Sequence, residues 1–228
     1  MIGQPFGRTV CFGLLVTGML AGSATYAASP DKEQLERGKA AAAACVACHQ
    51  ADGNGLADAD HSPWPRLAGL DATYLEKQLK AFQSGDRENA EMESFANMLN
   101  DDQIADVSAY YASLPARAPT DKPEVSEDVL ERGKQLAISG DWNRYIVPCM
   151  SCHGPDSQGV GSEFPDIAGQ HPEYIQTQLQ AWKDGTRQGD PLDLMKAVSD
   201  RLEQSDMEAV SAWLGTQTPA NAASSASD

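Results

Sequence analysis

The sequence predicts an all-α protein built from two similar domains in tandem, and three observations predict it. First, the chain repeats itself at a period of about a hundred residues. Leu35-Glu36-Arg37-Gly38-Lys39 returns as Leu130-Glu131-Arg132-Gly133-Lys134, and Trp64-Pro65-Arg66-Leu67-Ala68-Gly69 returns as Phe164-Pro165-Asp166-Ile167-Ala168-Gly169. Tyr74, Gln78, Leu79, Gly85 and Arg87 return at a constant offset as Tyr174, Gln178, Leu179, Gly185 and Arg187, and Val107-Ser108-Ala109-Tyr110 returns as Val210-Ser211-Ala212-Trp213. Second, neither copy shows the alternating pattern of a strand, whereas helix signals recur in both. Third, Cys45-Val46-Ala47-Cys48-His49 is matched by Cys149-Met150-Ser151-Cys152-His153, one such pentapeptide per copy.

The helices follow from their ends. An alanine-rich helix is expected at about 31–44, with its counterpart at about 126–138. The second begins at Asp71, a good N-cap, and stops before Gly85; its counterpart begins at His171, with Pro172 suited to the first helical position, and stops before Gly185. The third follows Asn100, with Asp101 and Asp102 favouring the helix dipole and Ile104, Val107 and Tyr110/Tyr111 at helical spacing. Its counterpart carries Met207, Val210, Trp213 and Leu214. Gly38 and Gly133 on the first helices suit a close approach of Tyr110 and Trp213 on the third. Residues 28–114 and 126–217 are the expected domains. Pro115, Pro119 and Pro123 mark 115–125 as an extended linker, and the Ala/Ser-rich stretch 218–228 is expected to be a disordered tail.

The N-terminus has the layout of a cleaved secretory signal. Arg8 precedes the apolar run Val10–Leu20, and small residues end at Thr25-Tyr26-Ala27, so residues 1–27 form the expected leader. The run is short for a membrane span, and a retained anchor is the alternative. The chain carries 17 Lys+Arg against 33 Asp+Glu, a formal charge of −16. Both halves share in it, with 8 basic and 15 acidic residues in 28–118 and 8 and 18 in 119–228. That balance excludes nucleic acid as a favoured partner and suits a partner with a basic docking patch. A generally acidic, solubilising surface explains any single carboxylate equally well.

Of five cysteines, Cys11 falls in the leader, and the pentapeptides use the other four. Two thiols three positions apart form thioethers with the two vinyl groups of one haem, and the adjacent histidine becomes the proximal iron ligand. Cys45, Cys48, Cys149 and Cys152 are thus the expected attachment points of two covalent haem c groups, with His49 and His153 on iron. The rivals are a redox dithiol and a zinc site. A zinc site drawn from both copies would join residues about a hundred positions apart across a domain boundary. Thioether attachment needs reduced thiols and haem outside the inner membrane, which with the leader implies the periplasm.

The sixth iron ligand decides what each haem does. Met92 lies 43 residues after His49 and Met195 lies 42 after His153, each seven before a leucine, Leu99 or Leu202. A thioether stabilises ferrous iron and raises the potential, so Met92 and Met195 are the expected axial ligands. Core filling is the plain alternative for a methionine, and Met98 is the rival in the first copy, where the second has Arg201. His61 has no counterpart, and His171 stands where the first copy has the capping Asp71; both read as structural or surface residues. A carbonyl at Pro65 or Pro165 would accept the proximal imidazole N–H, or these prolines simply make turns.

These residues resemble class I cytochromes c, and in particular the tandem two-haem cytochrome c4 family, from about Gln34 to Leu214. The resemblance rests on the paired haem motifs, the Pro-x-Leu/Ile-Ala-Gly segments, the Gln-Leu pairs of the second helices and the two methionines. It implies a periplasmic carrier with two His/Met haems, passing single electrons between respiratory partners toward a terminal oxidase and at most loosely held at the membrane. One departure is an insertion: Gly133 to Cys149 holds nine residues more than Gly38 to Cys45. That segment, 137–148, includes Trp142 and Tyr145 and suits a docking or inter-domain feature or a neutral loop.

Two closed haems relay electrons and transform no substrate, so a non-enzymatic carrier is expected. The partners that fit are a terminal oxidase, a bc-type complex or a dehydrogenase whose cytochrome subunit or acceptor this chain would be. A peroxidase would need an exchangeable iron position under an acid/base group. A two-haem thiosulfate-oxidising enzyme would be expected to place a further cysteine on iron. A gas sensor would need a weak methionine bond.

Overall fold

The computed structural model describes residues 1, 3, 30–56, 63–119 and 124–222. The expected leader, apart from Met1 and Gly3, and His61 lie outside them. Ten α-helices are described: α1 (Lys32–Ala41), α2 (Val46–His49), α3 (Ala72–Ser84), α4 (Ala90–Ala96), α5 (Asp101–Ser113), α6 (Glu127–Ile138), α7 (Met150–His153), α8 (Pro172–Asp184), α9 (Leu194–Ser199) and α10 (Gln204–Gly215). The first five and the last five repeat one arrangement. In each half the first helix crosses the last, and the third packs against that last helix.

Local chemistry sets the boundaries. Asp31 accepts from the Gln34 N–H at 2.7 Å and Asp71 from the Tyr74 N–H at 2.9 Å, each satisfying an N-terminal donor that the helix itself leaves unpaired. Asn100 and Gln103 form a reciprocal capping box at α5. Gly85 and Gly185 close α3 and α8 in the left-handed region, at φ 82° and 79°, where a side chain would be strained.

Both crossings turn on glycine. A Cβ on Gly38 would sit 2.1 Å from the Asp106 carbonyl oxygen and 2.7 Å from Tyr110 Cβ; one on Gly133 would sit 2.0 Å from the Ala209 oxygen and 2.8 Å from Trp213 Cβ. Charge locks each crossing. Arg37 spans both carboxylate oxygens of Asp106, at 2.7 and 3.1 Å, and Arg132 and Arg144 reach Asp206 at 2.8 and 2.7 Å. Burial pushes the Asp206 carboxyl up, but the Glu203 N–H and the two guanidiniums outweigh it and hold it below its ordinary value. A depressed carboxylate stabilises the fold above its unfolded pKa, and that contribution is lost as pH falls through the lower folded value. Asp206→Asn is therefore expected to be less stable at neutral pH and to lose less stability on acidification below about pH 4, in denaturant titrations across that range.

The cores differ in size. Around α5 the buried apolar residues are Ala42, Leu70, Leu75, Val107 and Tyr111. Around α10 they include Leu136, Ile146, Ile175, Leu179, Leu202, Met207, Val210 and Leu214. Ile146 comes from the insertion.

Three features depart from the sequence expectation. The short helices α4 and α9 bear Met92 and Met195 and were not foreseen, because six or seven residues are too few to display a helical apolar period. Thr218–Ala222, placed by composition in the tail, is packed: Asn221 accepts from the Ala116 N–H at 3.1 Å and donates to the Leu114 carbonyl at 3.2 Å, while the Ala220 N–H donates to Asp166 at 3.1 Å. Ala116, at the start of the expected linker, is wholly buried by that contact. His171 begins α8 without a side-chain cap; its Nε2–H crosses to the Asn54 carbonyl at 2.9 Å instead.

Candidate functional site

Each haem motif forms a single helical turn, α2 or α7, which places its two thiols and its histidine on one wall. The rest of each site comes from the Pro65 or Pro165 segment, from α3 or α8, and from α4 or α9. Together the two sites form one continuous cavity of about 890 Å³. Cys45, Cys48, His49 and Met92 line it from the first half, and Cys149, Cys152, His153 and Met195 from the second.

The histidines are held in one tautomer. Pro65 O accepts from His49 Nδ1–H at 2.9 Å and Pro165 O from His153 Nδ1–H at 2.8 Å, as expected for carbonyls that orient a ligand ring. Nε2 is left as the nitrogen with a free lone pair. Burial also pushes both imidazoles below their ordinary pKa, which favours the neutral form that binds metal.

The four thiols are free and partly buried. Burial pushes the Cys149 thiol up to about 11 and also raises the Cys45 thiol, so one thiol of each pair is held neutral. The described residues contain no group of three or more Cys, His, Asp and Glu placed to hold a metal ion by themselves. Neutral thioethers suit such a wall better than thiolates do.

Between the two sites lies a symmetrical polar bridge. The backbones at Arg87 and Arg187 pair antiparallel, flanked by Glu88 N–H to Thr186 O at 2.8 Å and Gln188 N–H to Asp86 O at 2.6 Å. Arg87 donates to Gln78 at 2.9 Å and, across the boundary, to Tyr174 and Gln178, both at 2.6 Å. Arg187 returns the pattern to Gln178 at 2.9 Å, Tyr74 at 3.1 Å and Gln78 at 2.9 Å. Each guanidinium also lies over an aromatic ring, Phe82 at 4.5 Å and Trp182 at 4.6 Å. Both arginines are buried, and no carboxylate pairs with either among the described residues. Two desolvated cations at the wall of a shared cavity call for anions there. Haem carries two propionates at one edge, so the residues present fit the group: thiols and imidazole on one wall, thioether sulfur on another, and guanidiniums between.

Of the sulfur candidates in the first half, Met92 is partly buried in the cavity wall, whereas Met98 is 65% exposed and outside it. Met92 is positioned by Asn89, whose side chain accepts from its N–H at 2.9 Å. Asp190 accepts from the Met195 N–H at 2.5 Å. His171 points to Asn54, away from any ligand role. The guanidinium bridge was missed by the sequence reading, although Arg87 and Arg187 stood among the repeated residues.

A protein with a covalent-haem turn, a carbonyl-oriented histidine and a helical wrap in each half is a c-type cytochrome. The cytochrome c family model matches residues 35–115 and 130–218, and the chain belongs to that family in two tandem copies. It is similar to the thiosulfate dehydrogenase electron acceptor of Thiomonas intermedia, at 39% identity over 93% of this chain and 92% of that protein. The solved structure of reduced recombinant cytochrome c4 from Pseudomonas stutzeri is similar at TM-score 0.70 and 30% identity, covering 80% of this chain and 98% of that one. That of thiosulfate dehydrogenase (TsdBA) from Marichromatium purpuratum is similar at TM-score 0.73 and 39% identity, covering 80% of this chain; this chain spans 40% of its length. The protein is thus a cytochrome c4-like electron-transfer protein with two covalently attached haem c groups.

Proposed function

We propose that this chain is a periplasmic single-electron carrier whose two domains, 28–114 and 126–217, each hold a His/Met haem, and which accepts electrons from a dehydrogenase of the thiosulfate-oxidising kind. The observation that carries this reading is that an imidazole with its Nδ1 already engaged and a methionine sulfur line the same cavity in both halves. Haem supplies reversible one-electron chemistry between ferric and ferrous iron. The protein's own residues make that exchange easy. Pro65 and Pro165 fix the histidine rings, Met92 and Met195 would supply the sulfur ligands of the two irons, and the buried Arg87 and Arg187 would bind the haem carboxylates.

The likeness to electron acceptors of thiosulfate dehydrogenase supports the dehydrogenase as donor, with a bc-type complex as the other candidate partner, and the likeness to cytochrome c4 supports onward delivery toward a terminal oxidase. In this reading the chain transforms no substrate itself. Among the described residues no helix is long and apolar enough to cross a membrane.

Absorption spectra of the haem-loaded protein test the axial assignment. The ferric form is expected to show the far-red methionine–iron band at two-haem strength, and the reduced form to bind no carbon monoxide. Met92→Leu and Met195→Leu should each halve the band and let carbon monoxide bind at one haem, while Met98→Leu leaves both readouts unchanged. Loss of the band in Met98→Leu would overturn the assignment in the first half.

A further inference from the structure

We propose that the insertion of the second half, together with the end of α6, is the docking surface for a redox protein with a flat apolar face rimmed by lysines or arginines, and that it brings this partner to the second haem site. This identifies the docking face of the carrier proposed above, and so rests on that reading.

The segment is built rather than loose. Asp141 and Ile146 exchange backbone hydrogen bonds at 2.8 and 2.9 Å, closing the loop on itself. Gly140, at φ 71°, permits the closure, since a Cβ there would lie 2.3 Å from the Ile146 carbonyl oxygen. Ile146 is 1% exposed and anchors the loop in the second core. Arg144 ties the tip to Asp206 at 2.7 Å and to the Arg201 carbonyl at 2.7 Å, and Arg132 holds Asp141 at 3.0 Å.

This scaffold presents aromatic side chains to solvent. Trp142 is 66% exposed and Tyr145, held in the left-handed region at φ 56°, is 77% exposed. A non-glycine residue is disfavoured there, and the cost is sustained only because the surrounding bonds fix it. Ile138 and Val147, at the two ends of the segment, are exposed apolar side chains as well. Tryptophan and tyrosine on a rigid loop lose little entropy on binding and are the residue types that dominate interface energy.

Two further observations identify the occupant. Val147 and Pro148 line the haem cavity and lead directly into Cys149, so the segment borders the second haem site. Its margin carries exposed Glu203 paired with Arg144 and exposed Glu131, two helical turns before Ile138, paired with Lys134, and the acidity comes from the half as a whole, with 8 basic and 18 acidic residues. A basic rim complements that charge and speeds encounter. The first half has no corresponding loop, so docking is asymmetric.

The test uses the full haem-loaded protein, Trp142→Ala/Tyr145→Ala, and two probes: lysine-rich mitochondrial cytochrome c, and thiosulfate dehydrogenase supplied with thiosulfate. Electron exchange and calorimetric binding at low salt are expected to weaken about tenfold or more in the double variant. Reduction by ascorbate and the melting temperature should be unchanged, and Met98→Ala on the first half should behave as wild type. The proposal is overturned if the double variant keeps wild-type binding, if ascorbate reduction falls in parallel, if Met98→Ala takes the loss instead, or if the wild type binds neither probe. Normal exchange with cytochrome c but none with thiosulfate dehydrogenase would refute the dehydrogenase reading, and the docking surface would then stand or fall on the cytochrome c result.

Discussion

Gly133→Ala is expected to destabilise the second half by about 3 kcal/mol, although alanine is intrinsically the better helix former by about 1 kcal/mol. The new methyl carbon would lie 2.0 Å from the Ala209 carbonyl oxygen, 2.6 Å from its carbon and 2.8 Å from Trp213 Cβ. Two of these atoms are backbone of α10, so no side chain can swing aside; the helices must separate. Separation would pull Arg132 from Asp206 and open the apolar contacts of Leu136 with the core of α10. Gly38→Ala meets the same obstacle at 2.1 Å from the Asp106 oxygen and should weaken the first half comparably. Gly85→Ala is the contrast. Among the described residues nothing lies within 4 Å of its Cβ position, and its φ of 82° alone is expected to cost about 1 kcal/mol. Denaturant titrations of the three variants, followed at each half, give these differences directly. A Gly133→Ala protein as stable as wild type would mean that the two helices are not held at this distance.

The glycine crossings were readable from sequence because the repeat aligned Gly38 with Gly133 and Tyr110 with Trp213. Covalent-haem chemistry was readable for a similar reason: it requires fixed residue types at fixed local spacing. The long helices announced themselves through Asp71, Asn100, Gly85 and Gly185, whose preferences act within one turn. Contacts between the halves left no such local mark. Arg87 and Arg187 were visible as repeated residues, but nothing nearby in sequence says that each reaches the other half's Tyr and Gln. His171 illustrates the opposite error: its position at the start of a helix suggested a cap, yet tertiary contact with Asn54 uses its ring. Asn221 lies in a segment whose composition says disorder, and only the folded first half supplies the Leu114 and Ala116 backbone groups that fix it. Such signals exist only once the chain has returned on itself.

The repeat also diverged at one place where divergence matters. Arg66 and Asp166 occupy equivalent positions, carry opposite charges and meet across the boundary at 3.6 Å, each almost entirely buried. Arg66 also donates to Ala68 O at 2.7 Å and to Ala168 O at 3.0 Å, so one guanidinium ties the two halves together. Gln170 bonds both the N–H and the carbonyl of Arg66, at 2.9 and 3.0 Å, and fixes the backbone beneath it. Removing one member of a buried pair leaves the other uncompensated, typically a loss of about 3–5 kcal/mol. Arg66→Met is expected near the lower end, because Asp166 keeps hydrogen bonds from the Ala168 and Ala220 N–H groups. Burial already raises the Asp166 carboxyl, and Arg66 opposes the rise. Without Arg66 the folded pKa climbs further, so the stability tied to the protonated form is present at low pH and lost as pH rises through that value. Part of the Arg66→Met deficit should therefore disappear on acidification toward about pH 4, whereas Arg66→Met/Asp166→Asn should show no such recovery. Calorimetry read against pH distinguishes the two. An Arg66→Met deficit that is the same at every pH would show that Asp166 is not left charged and unpaired, and that the loss comes from the two carbonyls alone.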